Sequence, residues 1–136
     1  MYLLFTDIRR SSTKVLSGVK DKGTKDRIPL LNMVKETEKA ILNTDKKKFY
    51  ECIREGWRLK QETSPLVMQN LKLRELDDLL SETGNIKAHR LCGAGNGGFF
   101  LLFTDRGAQL GEKIDSLNKP VIKVTISEDG VRGMRL

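Results

Sequence analysis

The stretch with the clearest chemical potential is the glycine loop of residues 93–98, which reads GAGNGG and holds four glycines in six positions. Glycine loses more backbone entropy on folding than any other residue, so such a cluster marks backbone that turns sharply or lies close to a ligand. Backbone of this kind can point several N–H groups at one anion, such as a phosphate. The loop therefore predicts a tight turn in which anion binding is one of the functions to test.

The glycine loop departs from the best-known nucleotide-binding loops. Gly93, Gly95 and Gly98 fit G-x-G-x-x-G, but a dinucleotide-binding loop opens a helix, whereas this one runs into Phe99 and Phe100. A Walker loop ends in G-K-[ST], and a protein-kinase loop precedes H-R-D and D-F-G signatures that this chain lacks. Two interpretations remain open. The loop is either a turn between strands that binds no ligand, or a functional turn. In the second case its N–H groups face an anion, or they brace another loop that faces the anion.

Basic residues supply further candidates for anion binding. Arg9 and Arg10 follow the first predicted strand and precede Ser11 and Ser12 at a predicted helix start. This combination is consistent with a site that binds an anionic group, and it is equally consistent with two solvated arginines at the end of a strand. Residues 44–49, TDKKKF, are more basic still, but a charge run on the polar face of a helix start is typical of solvation.

The single histidine is predicted to be structural or solvent-facing, and the single tryptophan is predicted to be a core residue. His89 lies in a predicted strand, and base catalysis would need a partner within hydrogen-bond reach. Trp57 shares one side of a predicted helix with Phe49, Ile53 and Lys60, which indicates a core position and not a platform for base stacking. We therefore predict no catalytic residue and no metal ligand in this chain.

Composition bounds the class of protein. The 136 residues suffice for one domain, and 38% hydrophobic with 32% charged residues is typical of a globular chain. The net charge of +7 favours anionic partners, whether nucleic acid, anionic lipid or phosphorylated small molecules. Cys52 and Cys92 lack the spacing of a metal site, so two free thiols in a reducing compartment are predicted. With no recognisable membrane span or signal peptide, we expect a cytoplasmic protein without a membrane partner.

Hydrophobic periodicity predicts the elements that position the glycine loop. A strand is predicted at residues 2–8, and a short helix after Ser11 or Ser12. Helical spacing then continues through three segments at 26–43, 45–60 and 73–83. In the first of these helices the core-facing residues are predicted to be Leu30, Val34, Thr37 and Ile41.

Strand patterns dominate the rest of the chain. Predicted strands at 88–92 and 99–104 flank the loop, and a short helix at 108–117 precedes a strand at 120–126. A hairpin turn and a last edge strand at 131–136 follow. This order matches the β-α-β-β-α-β split unit with extra helices in the first crossover. We therefore predict an α+β, ferredoxin-like fold over residues 1–136, with an antiparallel sheet and helices on one face.

Together with its flanks, the glycine loop resembles a conserved motif of the GHMP kinases. In that family a G-A-G-x-G-G loop followed by an apolar strand lies in the C-terminal domain, and here the sequence is GAGNGGFFLLF. Residues 3–16, LLFTDIRRSSTKVL, are similar to the segment that opens this domain in the heptose 7-phosphate kinases, with Asp7 where the relatives have glycine. Residues 55–65, EGWRLKQETSP, are similar to their G-W-x-L-K helix ending. The resemblance spans nearly the whole chain.

The resemblance implies part of an ATP-dependent sugar kinase. These enzymes transfer the γ-phosphoryl group of ATP to a hydroxyl of a small molecule, with Mg²⁺ assisting, and at the anomeric carbon in the case of heptose 7-phosphate. Their phosphate loop, P-x-x-x-G-L-G-S-S-A, and their catalytic aspartate belong to an N-terminal domain, and the motif does not occur in this sequence. We therefore expect the C-terminal half of such a kinase, without the N-terminal ATP-binding domain, inactive alone and with no tightly bound cofactor.

The resemblance also assigns positions to the site. Where the relatives have G-G-K, this chain has Ala88, His89 and Arg90, and Arg90 keeps a positive charge that can hold phosphate through two hydrogen bonds. Together with Arg9 and Arg10, it is a candidate contact to the substrate phosphate. The implied partners are ATP, a sugar phosphate, a separately encoded N-terminal kinase half and a second copy of the chain, whereas nucleic acid is not favoured. The residues placed near the nucleotide phosphates are Gly93, Ala94, Gly95, Asn96, Gly97 and Gly98.

Two other functions remain open from the sequence. A basic ferredoxin-like module can bind RNA or another polyanion, and Phe99 and Phe103 share a strand face, as do the aromatic residues of sheet-based RNA binders. The K/R-G-F-G-F motif of those binders is missing from this sequence. The third function is that of a stand-alone regulatory or dimerisation remnant.

Overall fold

The computed structural model describes residues 1–9, 28–105 and 107–127. Arg10, the predicted helix after Ser11 or Ser12 and the predicted edge strand at 131–136 lie outside these ranges. In chain order the elements are β1 (Tyr2–Phe5), α1 (Ile28–Leu42), α2 (Lys46–Glu62), a 3-10 helix (Pro65–Met68), α3 (Leu71–Glu82), β2 (Ile86–Leu91), β3 (Phe99–Thr104), α4 (Glu112–Asp115) and β4 (Val121–Lys123).

Four antiparallel strands form one sheet in the order β2-β3-β1-β4. Phe100 of β3 lies opposite Leu4 of β1 on one side and opposite Leu91 of β2 on the other. The two crossovers therefore connect strands that are not neighbours and leave β1 and β3 in the centre, an arrangement compatible with the ferredoxin-like split unit. The predicted α+β class with an antiparallel sheet is confirmed.

The first crossover carries the extra helices that the periodicity predicts, and polar caps fix where they begin. The Asp45 side chain accepts a hydrogen bond of 2.9 Å from the N–H of Lys48 at the start of α2. The Asn70 side chain caps α3 in the same way, 2.9 Å from the N–H of Lys72. Pro65 has no N–H for a continuing helix, so α2 ends and the short 3-10 helix starts there.

The core lies between one face of the sheet and the helices α2, α3 and α4. The ring of Trp57 meets the ring of Phe100 edge-on with centroids 6.1 Å apart, which attaches α2 to the middle of the sheet. Trp57 is therefore a core residue, as predicted. Fully buried side chains in this core are Leu4, Val67, Leu73, Leu80, Leu91, Phe100, Leu102 and Ile114.

Helix α1 packs differently from its prediction. Its main contact among the described elements is α2, and its one buried residue is Ala40. Val34 and Ile41, which were expected to face the core, are 65% and 61% exposed, so that prediction is wrong for both. A helix that packs against a single neighbour buries only a narrow stripe, and here the stripe includes the half-buried Met33 and Thr37.

Two strands, β1 and β4, are shorter than predicted. β1 stops at Phe5 because Asp7 has a φ of 60°, which turns the backbone out of the extended region. Thr6 still follows the sheet, since its N–H donates to the carbonyl of Gly98 over 2.9 Å. β4 is likewise limited to three residues. The end of β1 therefore becomes part of the surroundings of the glycine loop.

Two further expectations concern free cysteine thiols and membrane-spanning helices. Both cysteines are free, Cys52 in a buried position and Cys92 in a half-buried one. Across the described ranges, none of the helices has the length and apolar character required to cross a membrane.

Candidate functional site

The glycine loop joins β2 to β3 at one end of the sheet. Its backbone has a positive φ at Gly93 (75°), Gly95 (118°), Gly97 (134°) and Gly98 (95°). Side chains with a Cβ are strained in this region, whereas glycine adopts it freely. Asn96, with a φ of 57°, belongs to the few residue types that tolerate the left-handed conformation. The path of the backbone therefore explains the composition of the loop.

Two of the glycines also allow close approach to neighbouring backbone. A Cβ on Gly97 would lie 2.5 Å from the carbonyl oxygen of Ile8, just beyond β1. A Cβ on Gly95 would lie 2.9 Å from the Cα atom of Val67 in the 3-10 helix. Both glycines are buried. The loop is thus packed between the end of β1 and the 3-10 helix, with no room for a side chain at either position.

Hydrogen bonds hold the loop in this position. The N–H of Asn96 donates to the carbonyl of Val67 over 2.6 Å, and the N–H of Gly98 donates to the carbonyl of Ile8 over 3.1 Å. The Asn96 side chain accepts a bond of 3.2 Å from the N–H of Asn70. The N–H groups of Asn96 and Gly98 therefore brace the loop against the 3-10 helix and the end of β1.

Three other N–H groups of the loop have no hydrogen-bond partner among the described residues. Those of Gly93, Gly95 and Gly97 donate to no residue within the part of the chain that the structure describes. The carbonyl of Gly93 accepts a hydrogen bond from the ammonium group of Lys60, near the end of α2. Backbone N–H groups without an internal partner are chemically suited to an anion such as a phosphate or a carboxylate.

The predicted arginine contacts lie in different places. Arg9 is exposed and follows Ile8, whose carbonyl accepts a hydrogen bond from the loop, so Arg9 lies beside the loop. Arg90 is also exposed, but it belongs to β2, where alternation places it on the face opposite to the buried His89. Arg10 is outside the described residues. Of the predicted contacts that the structure describes, Arg9 follows the residue that bonds to the loop, and Arg90 lies on the outer face of the sheet.

A buried polar cluster lies between α2, α3 and β2, in a groove of about 310 Å³. The carboxylate of Asp77 accepts hydrogen bonds from Trp57 Nε1 at 2.8 Å and Gln61 Nε2 at 3.0 Å, and it lies 2.8 Å from His89 Nε2. His89 is 7% exposed, and its ring meets the edge of Phe100. The histidine therefore joins β2 to α3 inside the domain.

Asp77 was not among the predicted site residues, although the sequence contains one signal for it. A tryptophan in a core position needs an acceptor for its indole N–H, and an acidic residue on a neighbouring helix can supply one. Nothing in the local sequence identifies which of the acidic residues does so. Asp77 and its neighbour Asp78 look alike in sequence, and only Asp77 points inward.

A second concave surface, here called the basic cleft, lies between the start of α2 and the start of β2, with a volume of about 400 Å³. Lys46 Nζ lies 2.7 Å from one carboxylate oxygen of Asp105, and Lys87 Nζ lies 3.7 Å from the other. Residues 44–48 of the run TDKKKF are exposed, as predicted for a solvated helix start, but α2 places the run beside residues that are distant in sequence. The basic cleft is lined by Lys46, Lys47, Tyr50, Arg54, Lys87 and Asp105.

The ion pair in the basic cleft has a measurable consequence. The hydrogen bond from Lys46 lowers the pKa of Asp105 and raises the pKa of Lys46. The carboxylate therefore contributes stability above its unfolded pKa of about 3.9 and loses that contribution as the pH falls through the lower, folded pKa. The lysine contributes below its unfolded pKa of about 10.4 and loses its contribution as the pH rises through the higher, folded pKa.

We expect the Lys46→Gln variant to raise the pKa of Asp105 towards the value of an isolated aspartate. The measurement is an NMR titration of the Asp105 carboxyl carbon between pH 2 and pH 6, approximately the range of aspartate titration. Lys48→Gln is the matched control, because Lys48 belongs to the same turn but pairs with Glu51. Equal Asp105 pKa values in the Lys46→Gln variant and the unchanged protein would show that the ion pair does not form in solution.

No protein-family model and no curated protein matches this chain. Among solved structures, the chain is similar to the crystal structure of a Lin0012 protein from Listeria innocua, with a TM-score of 0.72 and 22% sequence identity. The match covers 90% of this chain and 38% of the Listeria protein. At this identity the likeness shows the fold alone. The same arrangement of strands and helices therefore occurs as a part of a longer chain.

Proposed function

We propose that this chain forms one wall of the nucleotide and sugar-phosphate cleft in a GHMP-type sugar kinase. The phosphoryl donor is ATP, and the acceptor is a sugar phosphate of the heptose 7-phosphate class. The opposite wall, with the phosphate loop, comes from an N-terminal half. The observation that carries the proposal is the braced glycine loop, in which the N–H groups of Gly93, Gly95 and Gly97 donate to no residue that the structure describes.

The meeting of three distant segments supports this proposal. The resemblance to the kinases depends on residues 3–16, 55–65 and 93–103. In the structure, Lys60 from the second segment bonds to the Gly93 carbonyl, and Ile8 from the first accepts a bond from Gly98. Segments that share one functional site are expected to converge in this way, whereas unrelated similarities would be scattered over the fold.

The conformation of Asp7 adds support from the backbone. The related kinases have glycine at this position, and in this chain Asp7 has a φ of 60°. Glycine is the usual residue where φ is positive, and aspartate is one of its few substitutes. Asp7 also pairs with Lys119, with 2.8 Å between Nζ and Oδ2. The position therefore keeps the backbone geometry that glycine would have, although the residue type differs.

The role proposed for the chain is to bind and orient phosphate groups. The donors of the glycine loop are fixed by the bonds of Asn96 and Gly98, so they need little rearrangement when charge develops on a phosphate. Magnesium-ATP would supply the phosphoryl group when bound. Within the described residues, no group of three or more His, Cys, Asp and Glu side chains is placed to hold a metal ion. One wall supplies only part of the positioning on which phosphoryl transfer depends, so we expect no turnover by this chain alone.

The experiment that tests the proposal is an amide NMR titration of the chain with magnesium-ATP and, separately, with heptose 7-phosphate. We expect the amide signals of Gly93, Gly95 and Gly97 to shift with a dissociation constant of about 1 mM, as suits a partial site. The amide of Lys123 serves as an internal control and should not move, because β4 is at the edge of the sheet opposite to β2, and Lys123 pairs with Tyr2 at the end of β1 away from the loop. In parallel, a coupled assay should detect no transfer of phosphate.

Two results would contradict the proposal. In the first, the loop amides stay in place at ligand concentrations of about 10 mM, tenfold above the expected constant. In the second, the chain alone turns over the substrate at the ordinary kinase rate of about 1–100 s⁻¹, which would show that the chain is a complete enzyme.

A further inference from the structure

We infer that the basic cleft binds single-stranded nucleic acid through its phosphate groups and without reading the bases. This surface is separate from the site of the proposed kinase function. Lys87 lies at the start of β2, whereas the glycine loop follows the last residue of the same strand, so the two sites are at opposite ends of the sheet. The inference therefore stands whether or not the kinase proposal holds.

The lining of the basic cleft has a large excess of positive charge. Lys46, Lys47, Arg54 and Lys87 contribute four cations, and Asp105 contributes one carboxylate. Three positive charges therefore remain on one small surface. Affinity for nucleic acid depends mainly on such cations, because each one that neutralises a phosphate releases a condensed counterion.

The cations of the basic cleft are spread along α2 in a row and are not gathered around one position. On α2, Lys46 and Lys47 precede Arg54 by about two turns, which places them on one side of the helix and roughly 10 Å apart along its axis. Lys87 adds a charge from the neighbouring strand. Arg58 continues the row by one turn, but Glu55 and Glu62 already pair with it. A row of this kind fits successive phosphates of an extended strand better than it fits one phosphate group.

The cleft is also open to solvent. The side chains of Lys46 and Lys87 are 59% and 40% exposed. Sites for small ligands usually enclose most of the ligand surface, whereas an open groove can follow a polymer. This exposure favours a chain of phosphates over a small phosphorylated molecule.

The aromatic residue of the cleft is not available for stacking on a base. Tyr50 is half-buried, its hydroxyl donates to the carbonyl of Thr104 over 3.3 Å, and its ring packs against Phe49 and Phe103. Base preference in single-strand binders comes largely from stacking and from contacts to base edges. We therefore expect similar affinity for different base sequences.

The position of Arg54 argues against a second type of partner, a peptide strand that would pair with the edge of the sheet. β2 is an edge strand, and open backbone groups on such a strand can pair with a further strand. The guanidinium of Arg54 donates to the carbonyl of Lys87 and so covers one of these groups. The same guanidinium has other N–H donors that can reach a phosphate.

Asp105 competes with the phosphate for Lys46 and Lys87, with which it is paired. Its side chain is 51% exposed, so a phosphate can displace it without disturbing the core. Removing its charge should therefore strengthen binding. A nonspecific surface charge elsewhere would not show this dependence on one carboxylate.

The test is fluorescence anisotropy of the full chain with labelled 12-nucleotide oligomers of two base sequences, measured across a series of salt concentrations. We expect dissociation constants of about 10–100 µM at low salt, equal for both sequences within about twofold. The logarithm of the binding constant should fall with the logarithm of the salt concentration with a slope of about −2 to −3, as for three to four contacted phosphates.

Variants identify the surface. We expect Lys47→Gln/Arg54→Gln to weaken binding by about tenfold and Asp105→Asn to strengthen it by about threefold at low salt. The control Lys113→Gln/Lys123→Gln removes the same charge from α4 and from β4 at the opposite edge of the sheet, and should change affinity by less than about twofold. If loss of Arg54 disturbs folding, Lys46→Gln/Lys47→Gln, in the exposed first turn of α2, tests the same surface.

Several outcomes would overturn the inference. Equal losses in the cleft variant and the control variant would mean that only the net charge acts. Displacement of the oligomer by an equal concentration of inorganic phosphate would indicate a small-anion site. Binding to phosphatidylserine vesicles in place of the oligomers would indicate a membrane surface, which we do not expect because no aliphatic side chain lines the cleft.

Discussion

Replacing Gly97 with alanine is expected to lower the free energy of unfolding by about 3 kcal/mol or more. The φ of 134° at this position strains any residue with a Cβ. The added Cβ would also lie 2.5 Å from the Ile8 carbonyl oxygen and 2.9 Å from Ile8 Cγ2. Because the first of these contacts is with backbone, the end of β1 must move to relieve it. Urea denaturation of the purified variant measures the effect.

Gly107→Ala is the matched control for Gly97→Ala. Gly107 also has a positive φ, of 81°, but a Cβ there would meet nothing within 4 Å. Its substitution should therefore cost only the backbone strain, about 1 kcal/mol. The difference between the two variants isolates the close approach of the loop to β1. Equal losses in both variants would show that the loop is not packed against Ile8 in solution.

Replacing Asp77 with alanine is expected to lower the free energy of unfolding by about 2–4 kcal/mol. The substitution removes the acceptor for Trp57 and Gln61 and the partner of His89. Trp57 is 5% exposed, so its indole N–H cannot turn to bulk water without a change in the core. An unpaired polar group in such a place costs about 1–3 kcal/mol. Trp57 is the single tryptophan, so its fluorescence reports both the unfolding transition and the local change.

The neighbouring residue supplies the control. Asp78 is exposed on the same helix, so Asp78→Ala removes the same charge without breaking the buried cluster. We expect a change within about 0.5 kcal/mol. If the two aspartate variants were equally stable, the cluster would not contribute to the fold. A shift of Trp57 emission in Asp77→Ala alone would agree with an indole that has lost its acceptor.

These two substitutions probe different parts of the same scaffold. Gly97 belongs to the proposed phosphate-facing loop, and its packing fixes the loop relative to β1. Asp77 connects α3 to α2 and β2; both α2 and β2 line the basic cleft, and β2 leads into the loop. Loss of either contact is therefore expected to affect the geometry of a binding surface as well as stability.

Local patterns predicted most elements of this fold. The caps Asp45 and Asn70, the leucine stripe of α3 and the apolar run after the glycine loop each specify their element through neighbours a few residues away. The sequence of strands and helices then restricts the topology, since short connections and β-α-β crossovers permit few sheet orders. For this reason the antiparallel α+β arrangement was predictable before the structure.

The exposed apolar residues of α1 show where local patterns fail. Val34 and Ile41 have the spacing of core residues, yet both are more than half exposed. Helical spacing identifies a face, but it does not identify which neighbour covers that face. In this fold α1 packs mainly on α2, so its buried stripe is narrow and rotated towards Ala40.

The sequence by itself determined that a tight glycine-rich turn would join two strands of an antiparallel sheet, because the glycines and the strand patterns that flank them are local signals. Only the tertiary structure decided that Gly95 contacts Val67, that Asp77 accepts from Trp57, and that Arg54 lies beside Lys87. Each of these pairs is separated by many residues along the chain. Such contacts depend on how whole elements pack, and the local periodicity that specifies each element does not fix this packing.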